Sequence, residues 1–282
     1  MPDTYIQPLR STQQFKECED IQIEVWGKLA VSAELLKVTQ EHGGAVLGAL
    51  ANGTVCGFVY AFLARYHGRL VHWSHLMAVR EKERDQGLGL RMKRMHRRVA
   101  LQQGIRSICW TFDPLQSRNA LLNISRLGAN VEEYIPDCYG PFASIIEKGL
   151  PSDRFVVNWR IATAHVRTRL QMQSKPKAIP SLPHVNETTM SRDGFLENRQ
   201  IIRHISGHNV LVEIPACTDI MRRDAAALAH RWREETRTIF REYFKAGYRV
   251  TDFIRERDSN SSRCFYVLSR RTRRARQSGP AR

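Results

Sequence analysis

Several features that would assign a chain to a class at once are missing from this sequence. No apolar run reaches the length of a membrane-spanning helix, the longest covering residues 55–64, and residues 1–10 lack the apolar core of a signal peptide. We therefore expect a cytoplasmic protein without a membrane partner.

Clusters of metal ligands are missing as well. The six cysteines have no C-x-x-C spacing, and several stand inside apolar runs that are typical of buried strands. The histidines form no H-x-x-x-H pair on a convincing helix face. These spacings argue against a disulfide framework and a zinc site, and we expect no bound metal.

Acidic residues are few relative to basic ones. The 282 residues include 28 Asp and Glu against 44 Lys and Arg, which gives a net charge of +16 and a pI of about 10.1. Such a charge attracts polyanions. Part of it lies in an arginine-rich tail over residues 270–282, but this tail has no interleaved aromatic residues and the chain has no recognised nucleic-acid reader motif. Nucleic-acid association through the tail is therefore only a third functional hypothesis.

The composition predicts a folded chain with two units. Hydrophobic residues make up 42% and charged residues 26% of the chain, which is typical of a globular protein. The length exceeds that of one typical domain. We expect an N-terminal domain over residues 1–162, a linker or partly ordered excursion over 163–208, an α/β extension over 209–269 and a disordered basic tail from residue 270.

The most informative feature present is a glycine turn between a predicted strand and a predicted helix. Residues 70–79 predict the strand, and the spacing R-x-x-G-x-G is formed by Arg84, Gly87 and Gly89. The helix that follows is predicted from an apolar face at Leu88, Met92, Met95 and Val99. Glycines allow backbone N–H groups to approach an anion, and a helix N-terminus favours negative charge. The segment therefore predicts a diphosphate site.

The residues of this turn also allow other interpretations. A nucleotide P-loop is disfavoured because no Lys-Ser/Thr pair follows Gly89, and the dinucleotide fingerprint lacks its first glycine. An ordinary strand-to-helix turn that binds nothing remains the alternative.

The rest of the sequence predicts alternating helices and strands. A first helix capped by Ser11 or Thr12 precedes a second over residues 33–41, and strands over 45–50 and 55–63 flank the hairpin signal Asn52-Gly53. A strand over 107–112, a helix over 116–127 and strands over 131–135 and 154–161 follow the glycine turn. The extension predicts strands over 209–214, 249–254 and 264–268 and a long helix over 219–246.

This order of elements and the R-x-x-G-x-G spacing resemble the GNAT superfamily of N-acyltransferases over about residues 5–162. Residues 113–123, 127–129, 149–155 and 212–215 are similar to a branch of predicted GNAT acyltransferases with a long C-terminal extension. The resemblance implies the GNAT fold, an α+β fold built on a mixed α/β sheet, with that extension. It also implies acetyl-CoA or another acyl-CoA as cofactor, and transfer of an acetyl or succinyl group to a primary amine. Because some relatives are associated with N-acylamino-acid metabolism, an amino acid is a candidate acceptor.

The resemblance also implies which residues hold the cofactor. Backbone groups near Met77 and Val79 would bind the pantetheine arm. The side chains of Asn119 and Asn123 are placed to bond its amide groups, and polar surface is their alternative role. The turn would hold the diphosphate through Arg84, Asp85, Gln86, Gly87, Leu88, Gly89 and Leu90. Asp85 departs from the pattern, since glycine often stands there, and we expect Arg84 or Arg91 to neutralise it.

Transfer to an amine requires a base for the amine and a proton donor for the departing thiolate. His75 and Asp113 are candidate bases, because histidine titrates near neutrality and Asp113 ends a strand where sites on open sheets collect. Ordinary packing and helix-capping roles are the alternatives. Aligning the chain to the family places Ile124 where many relatives have a tyrosine acid. Tyr139, Tyr134 or a water could replace it, or the thiolate could leave unassisted.

Direct transfer in a ternary complex is the expected mechanism, since Cys109 has no activating partner in the sequence. A non-catalytic acyl-CoA sensor or assembly module is the competing hypothesis, supported by the missing tyrosine. A homodimer is one open oligomeric state.

The extension also contains a hint of internal repetition. Residues 128–135 and 247–254 match in their glycine, valine, aromatic and isoleucine positions, each after a predicted helix. This pattern indicates a degenerate second GNAT-like half without its own R-x-x-G-x-G. The alternative is that any helix-glycine-strand junction looks alike.

Overall fold

A ten-stranded mixed sheet forms the centre of the protein, with the strand order β1-β2-β3-β4-β5-β7-β6-β11-β12-β10. The structure, a computed structural model, describes residues 4–27, 30–140, 149–172, 178–205, 207–257 and 262–270. The predicted tail lies outside the described residues from residue 271 onward.

Twelve strands and seven α-helices make up the described chain. The strands are β1 Tyr5–Pro8, β2 Ala45–Ala51, β3 Thr54–Tyr66, β4 Arg69–Val79, β5 Ile108–Phe112, β6 Asn130–Ile135, β7 Arg154–Trp159, β8 Asn186–Met190, β9 Leu196–Ile201, β10 Asn209–Ile214, β11 Tyr248–Arg257 and β12 Ser262–Arg270. The helices are α1 Thr12–Trp26, α2 Ala33–Glu41, α3 Leu88–Gln102, α4 Ser117–Ala120, α5 Ala164–Gln171, α6 Thr218–Asp224 and α7 Ala226–Lys245. None of the helices among the described residues combines the length and apolarity needed to cross a bilayer.

Local sequence signals account for the main boundaries. Ser11 caps α1 in a capping box with Gln14, so two otherwise unpaired N–H groups are satisfied. Asn52 and Gly53 both have positive φ, as a tight two-residue hairpin between β2 and β3 requires. The predicted mixed α/β sheet, the order of its elements and its C-terminal extension are confirmed.

Helices cover the N-terminal half of the sheet on both faces. The buried residues of α1 and α2 pack with Phe58 and Tyr60 of β3, whereas Leu88 and Met92 of α3 pack with Val59 on the opposite face. Side chains of one strand alternate between the two faces. A site within this half of the sheet therefore has α3 on one face and α1 and α2 on the other.

Several elements differ from their predictions. The helix predicted over 116–127 is the short α4 followed by a π-helix over Leu121–Arg126, and the helix predicted over 219–246 is broken at Ala225 into α6 and α7. Strand β1 was not predicted. The segment 163–208, predicted as a linker or partly ordered excursion, contains α5 and the β8-β9 hairpin. Its short, polar strands carry little hydrophobic periodicity, which is why the sequence did not reveal them.

The extension is joined to the N-terminal half through the sheet itself. β11 pairs with β6 antiparallel at Val250 and Val131, and one cluster of buried apolar residues runs from Ala100 to Leu268. The sheet and this core thus cross the predicted boundaries at residues 162 and 208.

The chain follows the same path twice. The sequence β5, helix, β6, β7 gives the sheet order β5-β7-β6, and the sequence β10, α7, β11, β12 gives the order β10-β12-β11. Gly128 and Gly247, both with positive φ, precede β6 and β11, and the equivalent residues Val131 and Val250 pair with each other. The register shift after Val131 recurs after Val250. The two matching sequence segments therefore occupy equivalent places around a local two-fold axis.

A buried ion pair ties α7 to the end of β5. Arg233 of α7 donates two hydrogen bonds to the Asp113 carboxylate, from Nη1 to Oδ1 at 2.8 Å and from Nη2 to Oδ2 at 2.7 Å. The backbone N–H of Leu115 donates a third, at 2.8 Å. Burial raises the pKa of Asp113, but the charge and hydrogen bonds of Arg233 outweigh that effect and hold the pKa below its usual value.

This geometry predicts the effect of breaking the pair. Asp113→Asn leaves a buried guanidinium without its counter-ion and should lower the free energy of unfolding by about 3–5 kcal/mol, whereas the double variant Asp113→Leu with Arg233→Met should recover most of that loss. Chemical denaturation of the full chain measures both. A loss below about 1 kcal/mol in the single variant would show that the pair does not hold α7 in place.

The same pair predicts a pH dependence. Because the pKa of Asp113 is lower in the folded state than in the unfolded chain, its stabilisation is complete above about pH 4 and is lost as the pH falls further. The double variant should lack this part of the acid sensitivity.

Candidate functional site

The sheet opens between β4 and β5. These two strands are parallel and pair only at His72 with Ile108 and at Trp73 with Cys109. Beyond that point β4 keeps β3 as its partner and β5 keeps β7, and the two strands part. Residues 74–79 of β4 therefore present alternate backbone N–H and C=O groups that have no strand partner on the β5 side. We call the gap between residues 74–79 and 110–112 the wedge.

The N-terminus of α3 follows the wide end of the wedge. Gly87 is the N-cap residue with φ of 76°, and no side chain of the described residues caps the helix. A Cβ added at Gly87 would meet no atom within 4 Å, so the space beside it is open. The first N–H groups of an α-helix have no intrahelical acceptor. The amides of Leu88, Gly89 and Leu90 are thus available to an anion, as the sequence predicts.

The charged residues around this turn have other hydrogen-bond partners than expected. Asp85 has φ of 64°, and its carboxylate accepts a hydrogen bond of 2.6 Å from Arg118 of α4. Arg84 instead donates to the Val79 carbonyl at 3.0 Å, and Arg91 donates to the Thr4 carbonyl. The expectation that Arg84 or Arg91 neutralises Asp85 is therefore corrected. Arg118 does so, because α4 begins directly across the wedge from the turn.

The other predicted cofactor residues differ in their position and in their exposure. A Cβ at Gly89 would lie 3.5 Å from Leu122 and 3.8 Å from Met77, so the start of α3 faces both β4 and the π-helix. Asn123 is buried within the π-helix, and Asn119 is exposed. π-helical turns are frequent at functional sites. Gln86 is exposed and donates to the Lys82 carbonyl at 3.3 Å, while Val79 ends β4.

His75 occupies a bulge in β4. Tyr60 of β3 pairs with Leu76 and Ala61 pairs with Ser74, so His75 has no partner on β3. Its ring lies 6.1 Å from Tyr60 and 6.0 Å from Phe62, on the face covered by α1 and α2. Desolvation lowers the pKa of His75 below its usual 6.5, so the neutral ring predominates at pH 7. Bulges often re-aim a side chain next to an active site.

Tyr139 lies on the other side of the wedge. Its hydroxyl shares a hydrogen bond of 2.8 Å with Thr111 of β5, and its backbone N–H donates to Ser152 at 2.8 Å. Thr111 follows Trp110, which faces α3, so Thr111 faces the α1 and α2 side. His75 and Tyr139 thus share one face of the sheet.

The remaining acid and base candidates are engaged elsewhere. Asp113 is held by Arg233 as described above, and a carboxylate so paired is a poor proton acceptor, so we do not retain it as the base. Tyr134 donates to Asp153, which is also bound by Arg237. Ile124 is buried in the core, so an apolar side chain occupies the position predicted for the missing tyrosine.

Sequence reasoning missed a buried basic cluster on the α3 side of the wedge. Lys93 of α3 is only 2% exposed, and its Nζ donates to Ser74 Oγ at 2.9 Å and lies 4.0 Å from the centre of the Trp110 ring. Lys93 and Ala100 lie seven residues apart on one face of α3. Periodicity would identify this buried face if lysine were counted among its residues.

Two histidines continue this cluster. The Gly43 carbonyl can only accept, so His72 Nε2 donates to it at 3.2 Å, and His72 Nδ1 accepts from His96 Nε2 at 3.0 Å. Burial lowers the pKa of both rings, that of His96 well below 6.5. His96 Nδ1 has no partner among the described residues. Two neutral histidine rings satisfy the donor and acceptor roles in this chain of hydrogen bonds.

Cys109 of β5, beside the wedge, is a buried thiol. Burial raises the pKa of the Cys109 thiol to about 12, so the thiol stays protonated at neutral pH. Within the described residues no group of three or more His, Cys, Asp or Glu side chains is arranged to hold a metal ion.

Comparisons with known proteins were made on sequence and on structure. No family model and no curated protein sequence matches the chain. An acetyltransferase of the GNAT family from Streptococcus pneumoniae is similar to it at 14% identity and a TM-score of 0.47, covering 55% of this chain and 98% of that one.

Two further solved structures show the same extent of likeness. The ribosomal-protein-S18-alanine N-acetyltransferase from Escherichia coli matches at 15% identity and a TM-score of 0.46, over 57% of this chain and 96% of that one. The protein yncA from Salmonella typhimurium, solved with acetyl-CoA, matches at 18% identity and a TM-score of 0.47, over 57% and 96%.

The topology of this chain settles the fold by itself. The predicted order of helices and strands, the parallel pair β4 and β5 that parts into a wedge, and the glycine turn into α3 are all present. Over about residues 5–162 the chain has the GNAT fold, extended by strands β10 to β12 on the same sheet.

Proposed function

We propose that this protein is an acyl-CoA-dependent N-acyltransferase that transfers an acyl group directly to a primary amine. The donor is acetyl-CoA or succinyl-CoA, and an amino acid is the acceptor class that we favour. The expected cytoplasmic location is part of the same proposal.

One observation carries the proposal. Uncapped amides at the start of α3 stand beside a strand edge whose backbone groups have no strand partner on the β5 side, and Gly87 leaves the space next to them open. The helix end suits a diphosphate, because its N–H groups and its dipole both favour negative charge. The strand edge suits the amide groups of pantetheine, which need donors and acceptors in alternation.

The length of the wedge supports the same assignment. From Val79 to Ser74 the strand covers about 17 Å at roughly 3.4 Å per residue. An extended pantetheine arm that starts at the α3 N-terminus and follows Met77 and Val79 would bring its thioester to the narrow end of the wedge, near His75 and Ser74.

The chemistry at that end fits direct transfer. The neutral ring of His75 can accept a proton from the attacking amine on the α1 and α2 face, where Tyr139 also lies. The protonated thiol of Cys109 argues against a covalent intermediate on this residue. Asn119 and Asn123 would bind amide groups of the arm from the α4 side.

Release of free thiol tests the proposal. We expect the full chain to release coenzyme A from acetyl-CoA or succinyl-CoA only when a pool of primary amines and amino acids is supplied, as measured with a thiol reagent. Binding of CoA by calorimetry without any acceptor-dependent release would identify a non-catalytic sensor instead. Absence of both binding and release would contradict the proposal altogether.

A matched pair of glycine variants tests the proposed diphosphate site at the start of α3. Gly87 and Gly104 lie at opposite ends of α3, both have φ of 76°, and neither has an atom within 4 Å of an added Cβ. Gly87→Ala and Gly104→Ala should therefore lose about the same stability, on the order of 1 kcal/mol, from the left-handed conformation.

Only one of the two variants should affect the ligand. Gly87→Ala should weaken CoA binding by about tenfold or more, because strain at the N-cap moves the amides of α3, while Gly104→Ala should bind as the wild type does. Calorimetry with CoA and thermal unfolding measure the two quantities. Equal CoA affinity in both variants would exclude the start of α3 as the diphosphate site.

A further inference from the structure

Lys93 is buried, and no carboxylate in the described part of the chain neutralises it. Its side chain is 2% exposed and forms no ion pair among the described residues. Its Nζ contacts the Ser74 hydroxyl at 2.9 Å and the face of the Trp110 ring at 4.0 Å. A buried ammonium with so little compensation is costly to the fold, so its retention calls for an explanation.

Lys93, Ser74 and Trp110 lie together at the narrow end of the wedge. Ser74 is the first residue of β4 after the last pair with β5, and Trp110 is the first of β5 after the same pair. Lys93 therefore spans the point where the strands separate, on the α3 face. The bulge residue His75 comes next in β4 but faces the opposite side of the sheet.

The titratable groups around Lys93 are uncharged at neutral pH. His96 lies on the same helix and His72 on β4, and burial lowers the pKa of both histidines. Burial also lowers the pKa of Lys93, to about 7. The ammonium can thus give up a proton under conditions in which an ordinary lysine could not.

We propose, on the basis of the function proposed above, that Ser74 is the proton donor to the departing thiolate of coenzyme A and that Lys93 supplies Ser74 with that proton. The pair takes over the role that the apolar Ile124 cannot fill. Ser74 touches the reacting sulfur, and Lys93 acts through Ser74.

The step balances in atoms and charge. As the tetrahedral intermediate collapses, the C–S bond breaks and its electron pair leaves on sulfur. The sulfur takes the Ser74 hydroxyl proton, and Ser74 Oγ takes a proton from the Lys93 ammonium along the hydrogen bond that the structure contains. Free thiol and neutral lysine result. Lys93 regains a proton from water once the products leave, and His75 releases the proton it took from the amine.

This arrangement predicts a bell-shaped dependence of kcat on pH. Activity needs neutral His75, so it falls on the acid side below pH 6.5, and it needs the Lys93 ammonium, so it falls on the alkaline side above about pH 7. The alkaline limb should disappear in Ser74→Ala and in Lys93→Met. The acid limb should disappear in His75→Gln.

Steady-state kinetics and calorimetry on the full chain test the proposal. In Ser74→Ala and Lys93→Met we expect kcat to fall about 100-fold, with CoA affinity and KM for the donor within about threefold of the wild type. Lys93→Met removes a buried charge and should not lower the melting temperature. Thr236→Val, which removes a buried hydroxyl on α7, is the matched control and should keep the wild-type profile.

Three results would overturn the proton relay from Lys93 through Ser74. Unchanged kcat and an intact alkaline limb in both variants would exclude it, while continued CoA binding and turnover would leave the proposed function in place. A fall in kcat with the alkaline limb retained would assign the pair a purely structural role. A wild-type protein that binds CoA but transfers nothing would remove the proposed function and the relay together.

Discussion

The separation of β4 from β5 is the constraint on which the rest of the structure depends. A parallel pair of strands normally satisfies the backbone groups on its shared edge. Here that pairing ends after Trp73 and Cys109, and the edge of β4 stays open for the length of the wedge. Exposed backbone groups within a sheet are costly unless something binds them. A ligand that pairs with such an edge therefore gains affinity from the main chain, largely independent of the side chains along it.

The surrounding elements keep the wedge open. β5 is fixed by five pairs to β7, and β4 is fixed by its long pairing with β3, so neither strand can move to close the gap. The bulge at His75 changes the direction of β4 at the narrow end, and Arg233 holds Asp113 just beyond β5 at the wide end. The C-terminal half contributes to the site in this indirect way, through α7 and the continuous sheet, although it has no glycine turn of its own.

Much of this fold could be predicted from the sequence, because periodicity, capping residues and the Asn52-Gly53 turn each act locally. The glycine turn was found for the same reason, since R-x-x-G-x-G is a local pattern and Gly87 does adopt the positive φ. The match between residues 128–135 and 247–254 was also visible, and both segments lie at the local two-fold axis. The sequence could not reveal that the two halves share one sheet, because strand pairing across 119 residues leaves no local signal.

The misjudged residues have a common cause. Asp113 looked like a base because it ends a strand, and only the fold brings Arg233 to it. Proximity in sequence favours Arg84 or Arg91 as the partner of Asp85, whereas Arg118 reaches it from another helix. The helical pattern does not single out Lys93, because a lysine on an amphipathic helix is normally assigned to the solvated face. In each instance the deciding contact joins residues far apart in sequence, and no pattern along the chain encodes it.

Amide hydrogen exchange with and without coenzyme A tests the central claim most directly, because the claim concerns backbone N–H groups. The account predicts slower exchange at residues 88–90 and at alternate residues of 74–79 when CoA is present, with β10 to β12 unchanged. Protection confined to other parts of the chain, or no protection at saturating CoA, would contradict it.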